Sequence, residues 1–329
     1  MFKSKIFKTI SVISLCLIMV FLSSCFDSEK GKKDKISIVC TAFSQYDFVK
    51  EIVGEKSEKF DIKYLFENGA DVHSFETDVG FNVKIQILNS DLFIYNGGES
   101  DSWAKNILED KSMNKDCVKV SLISALDEKR LLMSNHDEHE HSHEDDHKDK
   151  YDEHVWLSIE NAISICYEIK NAIVTLDETN KSYYEENTEK YCSKLNSLHE
   201  EAISSFSKFE NPFVVVADRY PFVYFFNDYN IRCTAAFSGC TSETEATYEN
   251  VVKLCKAVEE NSLKYILVLE KSNASISSAV VSSSPRKLEI LTINSLQSVS
   301  REEIEDGISY YSVMKNNIET VKKALVTSE

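Results

Sequence analysis

Short apolar runs alternate with segments of helical spacing along most of the chain. Residues 36–40 form a β-rich run, and residues 46–53 carry apolar side chains at helical spacing until Gly54, a residue typical of a helix end. Residues 60–66 then alternate between apolar and polar positions, as a half-buried strand does. The order of strand, helix and strand predicts an α/β fold.

The same alternation predicts two α/β halves separated by a long helical stretch. The stretch begins at residue 159 and breaks at residues 177–180, and its second part, residues 181–209, would connect two lobes. Further strands are predicted at residues 91–96, 118–122, 213–217, 231–237, 264–269 and 288–293, and further helices at residues 103–108, 248–260 and 310–326. The predicted fold class is therefore α/β, with two lobes, each a central β-sheet flanked by helices, and a rigid connector helix. The predicted bounds are residues 36–180 for the N-terminal lobe, 181–209 for the connector and 210–329 for the C-terminal lobe.

The first 24 residues have the three-part order of an export signal. Three lysines precede an apolar run at residues 10–22, which is too short for a comfortable transmembrane helix, and small residues follow it. Residues 22–25 resemble the lipobox of bacterial lipoproteins, in which Cys25 would be lipidated and become the mature N-terminus. Residues 25–35 would then be a polar tether. We therefore expect an extracytoplasmic protein that is lipid-anchored to the bacterial cell membrane.

Composition and charge fit a globular protein whose partners include cations. The chain has 329 residues, of which 43% are hydrophobic and 28% charged, and this length is enough for two domains with their own cores. Loss of the first 24 residues, which carry three lysines and no acidic residue, would change the formal net charge from −17 to −20. Such a charge disfavours nucleic acids and anionic lipid surfaces as partners.

Histidines are concentrated in two motifs and in the segment between them. His73 lies in the Gly-Ala-Asp-Val-His-Ser-Phe-Glu motif of residues 69–76, and His154 lies in the Asp-Glu-His-Val-Trp-Leu-Ser motif of residues 152–158. Imidazole is the commonest protein ligand of zinc and its neighbours among the divalent metals. Five more histidines lie between the motifs, namely His136, His139, His141, His143 and His147. The sequence therefore indicates a protein that handles metal ions.

The histidine-rich segment shows no apolar periodicity, and we predict a solvated loop over residues 135–153. It contains a formal match to H-E-x-x-H, the zinc protease signature, which needs both histidines on one face of a helix. Charged flanks without an apolar face would not anchor such a helix, so we interpret the match as a chance one. Our hypothesis for this loop is the capture or sensing of zinc beside the main site.

The motifs resemble those of the metal-binding lipoproteins that serve zinc and manganese ABC importers. The likeness is carried by residues 69–76, 91–98 with Trp103, 152–157 and 310–317, and so extends over nearly the whole chain from Ile36. The resemblance implies a C-shaped pair of α/β lobes, a rigid helical link and one metal ion buried in the cleft between the lobes. It also implies that His73 and His154 are the two ligands of the N-terminal lobe, as neutral imidazoles at about 2.0–2.1 Å from zinc.

The C-terminal lobe departs from the pattern of that family. The resemblance places a third ligand, His or Glu, within residues 216–225, but Arg219 occupies the matching position and an arginine cannot bind a metal ion. No histidine follows His199, so this lobe must offer oxygen or sulfur, or leave the position to water. The candidate carboxylates are Asp218 on the opposite strand face from Arg219, Glu270 at the end of a predicted strand, and Glu243 with Glu245 in a loop that begins with glycine.

The predicted function is that of a solute-binding protein. It would capture Zn²⁺ outside the cytoplasm as a monomer and deliver the ion to the permease of an ABC importer, which works with an ATPase subunit. Nothing argues for catalysis, since the sequence has no glycine-rich phosphate loop, no G-x-S-x-G elbow and no plausible Cys/His dyad. We therefore do not expect an enzyme.

Three alternatives remain open from the sequence. The first is a manganese-specific binding protein, because two histidines with two carboxylates would suit Mn²⁺ better than an all-histidine site; the histidine-rich loop favours zinc. A metalloenzyme with an open zinc position would need a general base near His73 or His154, and none was identified. A surface adhesin with a structural metal would show metal-dependent folding instead of reversible loading.

Overall fold

The computed structural model describes residues 35–71, 73, 79–134, 151–237, 239 and 247–326. Three groups of predicted features lie outside the described residues: the export signal with Cys25, the loop histidines His136, His139, His141, His143 and His147, and the carboxylates Glu243 and Glu245. The chain from Ile36 onward forms one compact unit. A search of the described part for a helix long and apolar enough to cross a membrane found none.

Eight strands of the described chain form two parallel sheets. The strands are β1 (Ile36–Cys40), β2 (Phe60–Tyr64), β3 (Leu92–Tyr95), β4 (Val118–Ser121), β5 (Phe213–Val216), β6 (Arg232–Ala235), β7 (Tyr265–Leu269) and β8 (Glu289–Ile293). Their order is β2-β1-β3-β4 in the first sheet and β6-β5-β7-β8 in the second, and all paired strands run parallel. Each strand lies within a run predicted from the sequence, and the α/β fold class with two lobes is confirmed.

Ten α-helices of the described chain flank the two sheets. They are α1 (Phe43–Val53), α2 (Phe81–Leu88), α3 (Ser102–Leu108), α4 (Ile159–Leu176), α5 (Lys181–Phe206), α6 (Val223–Asp228), α7 (Tyr248–Glu260), α8 (Ser275–Ser283), α9 (Arg301–Glu305) and α10 (Tyr310–Ala324). The predicted break in the long helical stretch separates α4 from α5, and α5 ends at Phe206 instead of residue 209. Helices α2, α6, α8 and α9 were not predicted.

Helix α5 carries an apolar stripe along most of its length. Tyr184, Tyr191, Leu195, Leu198 and Ala202 recur at helical spacing and are all buried. The stripe packs against α1, α4 and α10. With 26 residues at about 1.5 Å each, α5 is roughly 39 Å long, which lets it run from the half that contains β1–β4 to the half that contains β5–β8.

Helix α10 joins the second sheet to the first half. It packs on β8, and its first residue, Tyr310, donates a backbone N–H to Asp47 Oδ2 at 2.8 Å. The Tyr310 hydroxyl donates to the Trp156 carbonyl at 2.7 Å, and the rings of Phe48 and Tyr310 have centroids 4.8 Å apart. The two halves are therefore packed together through a buried aromatic and polar contact as well as through α5.

Candidate metal centre

Five residues that surround the candidate site follow the carboxyl ends of parallel strands. His73 follows β2, Ser100 follows β3, Arg219 follows β5, Glu270 follows β7 and Gln297 follows β8. Carboxyl ends of parallel strands lie at the same edge of a sheet, and α/β proteins bind ligands in the crevice outside that edge. The topology therefore gathers polar residues from distant parts of the chain.

Each of the two predicted histidine ligands is supported by an aspartate two positions earlier. His73 Nδ1 lies 2.9 Å from Asp71 Oδ1, which also accepts the backbone N–H of His73 at 3.0 Å. His154 repeats the arrangement, because its Nδ1 and its backbone N each lie 2.9 Å from Asp152 Oδ1. An ionised carboxylate only accepts hydrogen bonds, so the Nδ1 beside each aspartate donates the proton. His154 Nε2 is then the nitrogen suited to a metal ion, whereas His73 Nε2 faces Glu153 Oε1 and has to lose a proton before it binds one. The Asp-x-His spacing that the two motifs share is the sequence signal that could have predicted this support.

Glu153 lies beside the two histidines, although it was not among the ligands predicted from the sequence. Its Oε1 lies 2.9 Å from His73 Nε2, and its Oε2 accepts the Ser100 hydroxyl at 2.6 Å and the Ser100 backbone N–H at 3.0 Å. One ligand atom from each of His73, Glu153 and His154 lies within 4.8 Å of the other two. Glu153 is 7% exposed and His154 is 3% exposed. The structure therefore brings together two imidazoles and one carboxylate that could hold a single ion.

Gly98 leaves the space that Glu153 occupies. A Cβ atom added at Gly98 would lie 2.4 Å from Glu153 Cβ and 2.5 Å from Glu153 Oε2, well inside van der Waals contact. The Gly97-Gly98 pair follows β3 closely in the chain. Its second glycine also permits the close approach that places the Glu153 carboxylate beside His73.

The charges around this group favour an anionic site. Burial raises the pKa of Glu153, but the hydrogen bond and charge of His73 and the charge of His154 outweigh burial and lower that pKa to about 2. Burial likewise raises the pKa of Asp71, whereas His73 and the Arg219 guanidinium together hold it well below its usual range. Both carboxylates are therefore ionised at neutral pH, which favours binding of a divalent cation.

The predicted C-terminal carboxylates Asp218 and Glu270 lie outside the group of three. The Asp218 oxygens accept the backbone N–H groups of Arg219 at 2.8 Å and of Leu269 at 3.3 Å. The Glu270 oxygens accept the backbone N–H of Ser295 at 2.8 Å and its hydroxyl at 2.6 Å. Both carboxylates thus hold the backbone at the ends of strands, and the carboxylate of the group of three, Glu153, belongs to the N-terminal half.

The second half reaches the site through Arg219 and Gln297. Arg219 Nη1 lies 2.7 Å from Asp71 Oδ2, so the residue at the position of the family's third ligand approaches as a counter-ion to the aspartate that supports His73. Gln297 Nε2 lies 3.4 Å from His73 Nδ1, and Gln297 Oε1 accepts the Ser295 hydroxyl at 2.9 Å. These contacts place the site where the two halves meet.

The described chain has two parallel-sheet lobes, a helical link, and two histidines that are each supported by an aspartate and lie beside a buried glutamate. Together these features define a two-lobed metal-binding protein of the solute-binding class. The family follows from the sequence: residues 38–324 match the ZnuA family, described as zinc-uptake complex component A, periplasmic, and the chain belongs to this family. The resemblance proposed from the motifs is confirmed. This family consists of components of metal transport and not of enzymes.

Two named relatives match nearly the whole chain. Zinc-binding lipoprotein AdcA of Streptococcus pneumoniae strain R6 is 27% identical over 318 residues, which are 96% of this chain and 61% of AdcA, so the chain spans about three fifths of that relative. The high-affinity zinc uptake system protein ZnuA of Bacillus subtilis strain 168 is 29% identical over 321 residues, which are 96% of each chain.

Solved structures share the fold. The Zn(II)-bound ZnuA-like domain of Streptococcus pneumoniae AdcA has a TM-score of 0.70 at 22% identity, with 88% of this chain and 99% of that chain covered. The metal-dependent lipoprotein YcdH of Bacillus subtilis has a TM-score of 0.71 at 26% identity, with the same coverage. The arrangement of two lobes is therefore the one found in these proteins.

Proposed function

We propose that this chain is the extracytoplasmic solute-binding component of an ABC importer, which captures Zn²⁺ and delivers it to a membrane permease and its ATPase subunit. The observation that carries the proposal is the group formed by His73, Glu153 and His154, whose ligand atoms lie within 4.8 Å of one another. Family membership and the zinc-binding relatives support it. Three protein ligands leave a fourth position of a tetrahedral zinc ion to water or to an exchanging ligand, which suits a protein that must also release the ion.

Zinc fits this site better than manganese. Two imidazole nitrogens with one carboxylate are typical zinc ligands, whereas Mn²⁺ prefers oxygen and lies below Zn²⁺ in the general order of affinities. The names of the relatives at 27% and 29% identity also refer to zinc. Zn²⁺ is therefore the proposed transported ligand.

Competitive titration with Zn²⁺ and Mn²⁺ tests the proposal, with metal counted per chain in wild type, in His73→Ala and in the control His199→Ala. His199 lies on α5, where its Nδ1 is 3.2 Å from the Tyr229 hydroxyl. We expect one tight zinc site that His73→Ala loses and His199→Ala keeps. Tight Mn²⁺ binding that zinc does not displace would contradict the metal assignment, and a chain that folds only with metal would contradict reversible delivery.

We also propose that the histidine-rich segment is an auxiliary site that collects zinc for the main site. Met133 and Tyr151 form an antiparallel bridge at the two ends of this segment, and Tyr151 is followed closely by Glu153 and His154. Five imidazoles in this segment would bind zinc weakly, and its attachment beside the ligand residues supports transfer over a short path.

Deletion of residues 136–147 should remove weak zinc binding and leave one tight site, because the three ligands of the tight site lie outside the deleted segment. Isothermal titration of the deletion variant measures both classes of site. A matched variant with the five histidines changed to glutamine keeps the length and should give the same result. Loss of the tight site in the glutamine variant would contradict an auxiliary role.

We further propose that Cys25 is lipidated and anchors the protein to the membrane surface. The proposal is supported by the order of the export signal in the sequence and by the lipoprotein name of AdcA. In cells, Cys25→Ser should move the protein from the membrane fraction to the soluble fraction, and Cys40→Ser serves as the control. A Cys25→Ser protein that stays with the membrane would contradict the anchor.

A further inference from the structure

Asp71 and Asp152, the aspartates that support the two histidines, both contact one short segment of the second half, residues 219–224. At its start, Arg219 Nη1 donates to Asp71 Oδ2 at 2.7 Å, while the other oxygen of Asp71 accepts from His73. At its end, the Tyr224 hydroxyl donates to the Asp152 carbonyl at 2.9 Å, while the Asp152 side chain accepts from His154. The two supports are therefore separate along the first half but meet residues only five positions apart in the second half.

Packing and hydrogen bonds hold this segment in a fixed position, so it can orient the residues that it contacts. Tyr224 is 1% exposed, and its hydroxyl also accepts the backbone N–H of Leu132 at 3.1 Å, so its orientation is set by packing and by two hydrogen bonds. Phe222 and Phe225 on either side are fully buried. Arg219 is 22% exposed in its side chain, and Asp71 is 18% exposed, so their ion pair is partly shielded from water. The negative charge of Asp71 also offsets the repulsion that the Arg219 guanidinium would otherwise exert on a nearby metal cation.

We propose that Arg219 and Tyr224 are paired positioning residues, through which one segment of the second half orients His73 by way of Asp71 and His154 by way of Asp152. This inference rests on the proposed zinc function. Arg219 and Tyr224 act on the imidazoles through Asp71 and Asp152. Displacement of the segment from the first half would therefore loosen both ligand histidines in one movement. Zinc release is then controlled by a segment that binds no metal itself.

Zinc dissociation into excess chelator tests the inference in Arg219→Met and Tyr224→Phe. Partners of metal ligands typically change affinity by about 10–100-fold when removed, and we expect about a 10-fold faster dissociation in each variant. Arg219→Lys keeps a cation and should recover part of the loss. Arg232→Met, on the exposed side of β6, and Tyr229→Phe, whose hydroxyl contacts His199, are matched controls that should dissociate at the wild-type rate.

Nitrogen-15 spectra of the imidazole rings distinguish positioning from general loosening of the fold. Arg219→Met should shift the His73 signals alone, and Tyr224→Phe should shift the His154 signals alone. Unchanged or slower dissociation in Arg219→Met, or a shift of both rings by either variant, would overturn the inference while leaving the zinc function intact. If wild type itself binds no zinc tightly, the proposed function fails first. Tyr224→Phe differs by one buried hydroxyl, so it keeps the test decisive if Arg219→Met does not fold.

Discussion

Glu153→Gln should weaken zinc binding about a hundredfold, close to 2.7 kcal/mol of binding free energy. Glutamine has the same size, and its side-chain oxygen can still accept the hydrogen bonds that Ser100 donates to Glu153. The variant loses the anionic oxygen that lies 2.9 Å from His73 Nε2, and with it one ligand and one negative charge. Competition against a zinc chelator of known affinity measures the change.

Three variants make this result interpretable. Glu160→Gln removes an exposed glutamate from α4 and should bind zinc as wild type does. Asp218→Asn and Glu270→Gln test the two C-terminal carboxylates in the same assay, and we expect changes of less than about threefold because their oxygens hold backbone groups. A large loss in either of these variants, with wild-type affinity in Glu153→Gln, would contradict the assignment of Glu153.

We expect the free energy of unfolding to decrease as the pH rises from 5 to 8, and Asp47→Asn should make this decrease smaller. Burial raises the pKa of Asp47 to about 7, and the nearby charge of Glu51 adds to the effect, although the hydrogen bond from Tyr310 lowers it. The folded state therefore binds the proton more tightly than the unfolded chain does, so the free energy of unfolding falls as pH rises from about 4 to 7. Ionisation would cost up to about 4 kcal/mol at pH 8, at roughly 1.4 kcal/mol per pKa unit.

Denaturant unfolding across this pH range measures the effect. Asparagine keeps an oxygen for the N–H of Tyr310, so the variant should equal or exceed wild type in stability at pH 8 and lose that advantage near pH 5. The slope will not vanish, because burial also raises the pKa of Asp101 to about 7. Asp61→Asn, a half-exposed site on β2, should follow the wild-type curve. Equal slopes in wild type and Asp47→Asn would contradict the assignment.

The strands were predictable because most lie in short runs rich in apolar residues, and β2 alternates between apolar and polar positions. The helices that were missed lack the periodicity on which a helix prediction depends. Helix α6 follows Phe222 and includes Tyr224, Phe225 and Phe226, all nearly fully buried, and such a run of consecutive apolar residues shows no stripe. Helix α2 has the reverse problem, because Phe81 is 76% exposed and Ile85 is 39% exposed, so its apolar positions do not mark a buried face.

At the site, the sequence predicted the histidines and the departure at Arg219, but not the position of Glu153 beside the histidines. Glu153 lies next to His154 in the chain, and adjacency does not show whether a side chain points toward the same ion. Its direction depends on Ser100 and on the missing Cβ at Gly98, more than fifty positions earlier. The partner of Arg219, Asp71, lies 148 positions away, and only the packing of the two halves brings them together.

The contacts of Tyr310 have a consequence for the order of events during synthesis. Asp47 and Trp156, which belong to the half that carries the proposed ligands, take hydrogen bonds from the first residue of α10. That half therefore cannot complete its core until the chain has been made as far as Tyr310. Late completion would keep the nascent chain loosely folded, which is the state in which a polypeptide can be threaded across a membrane.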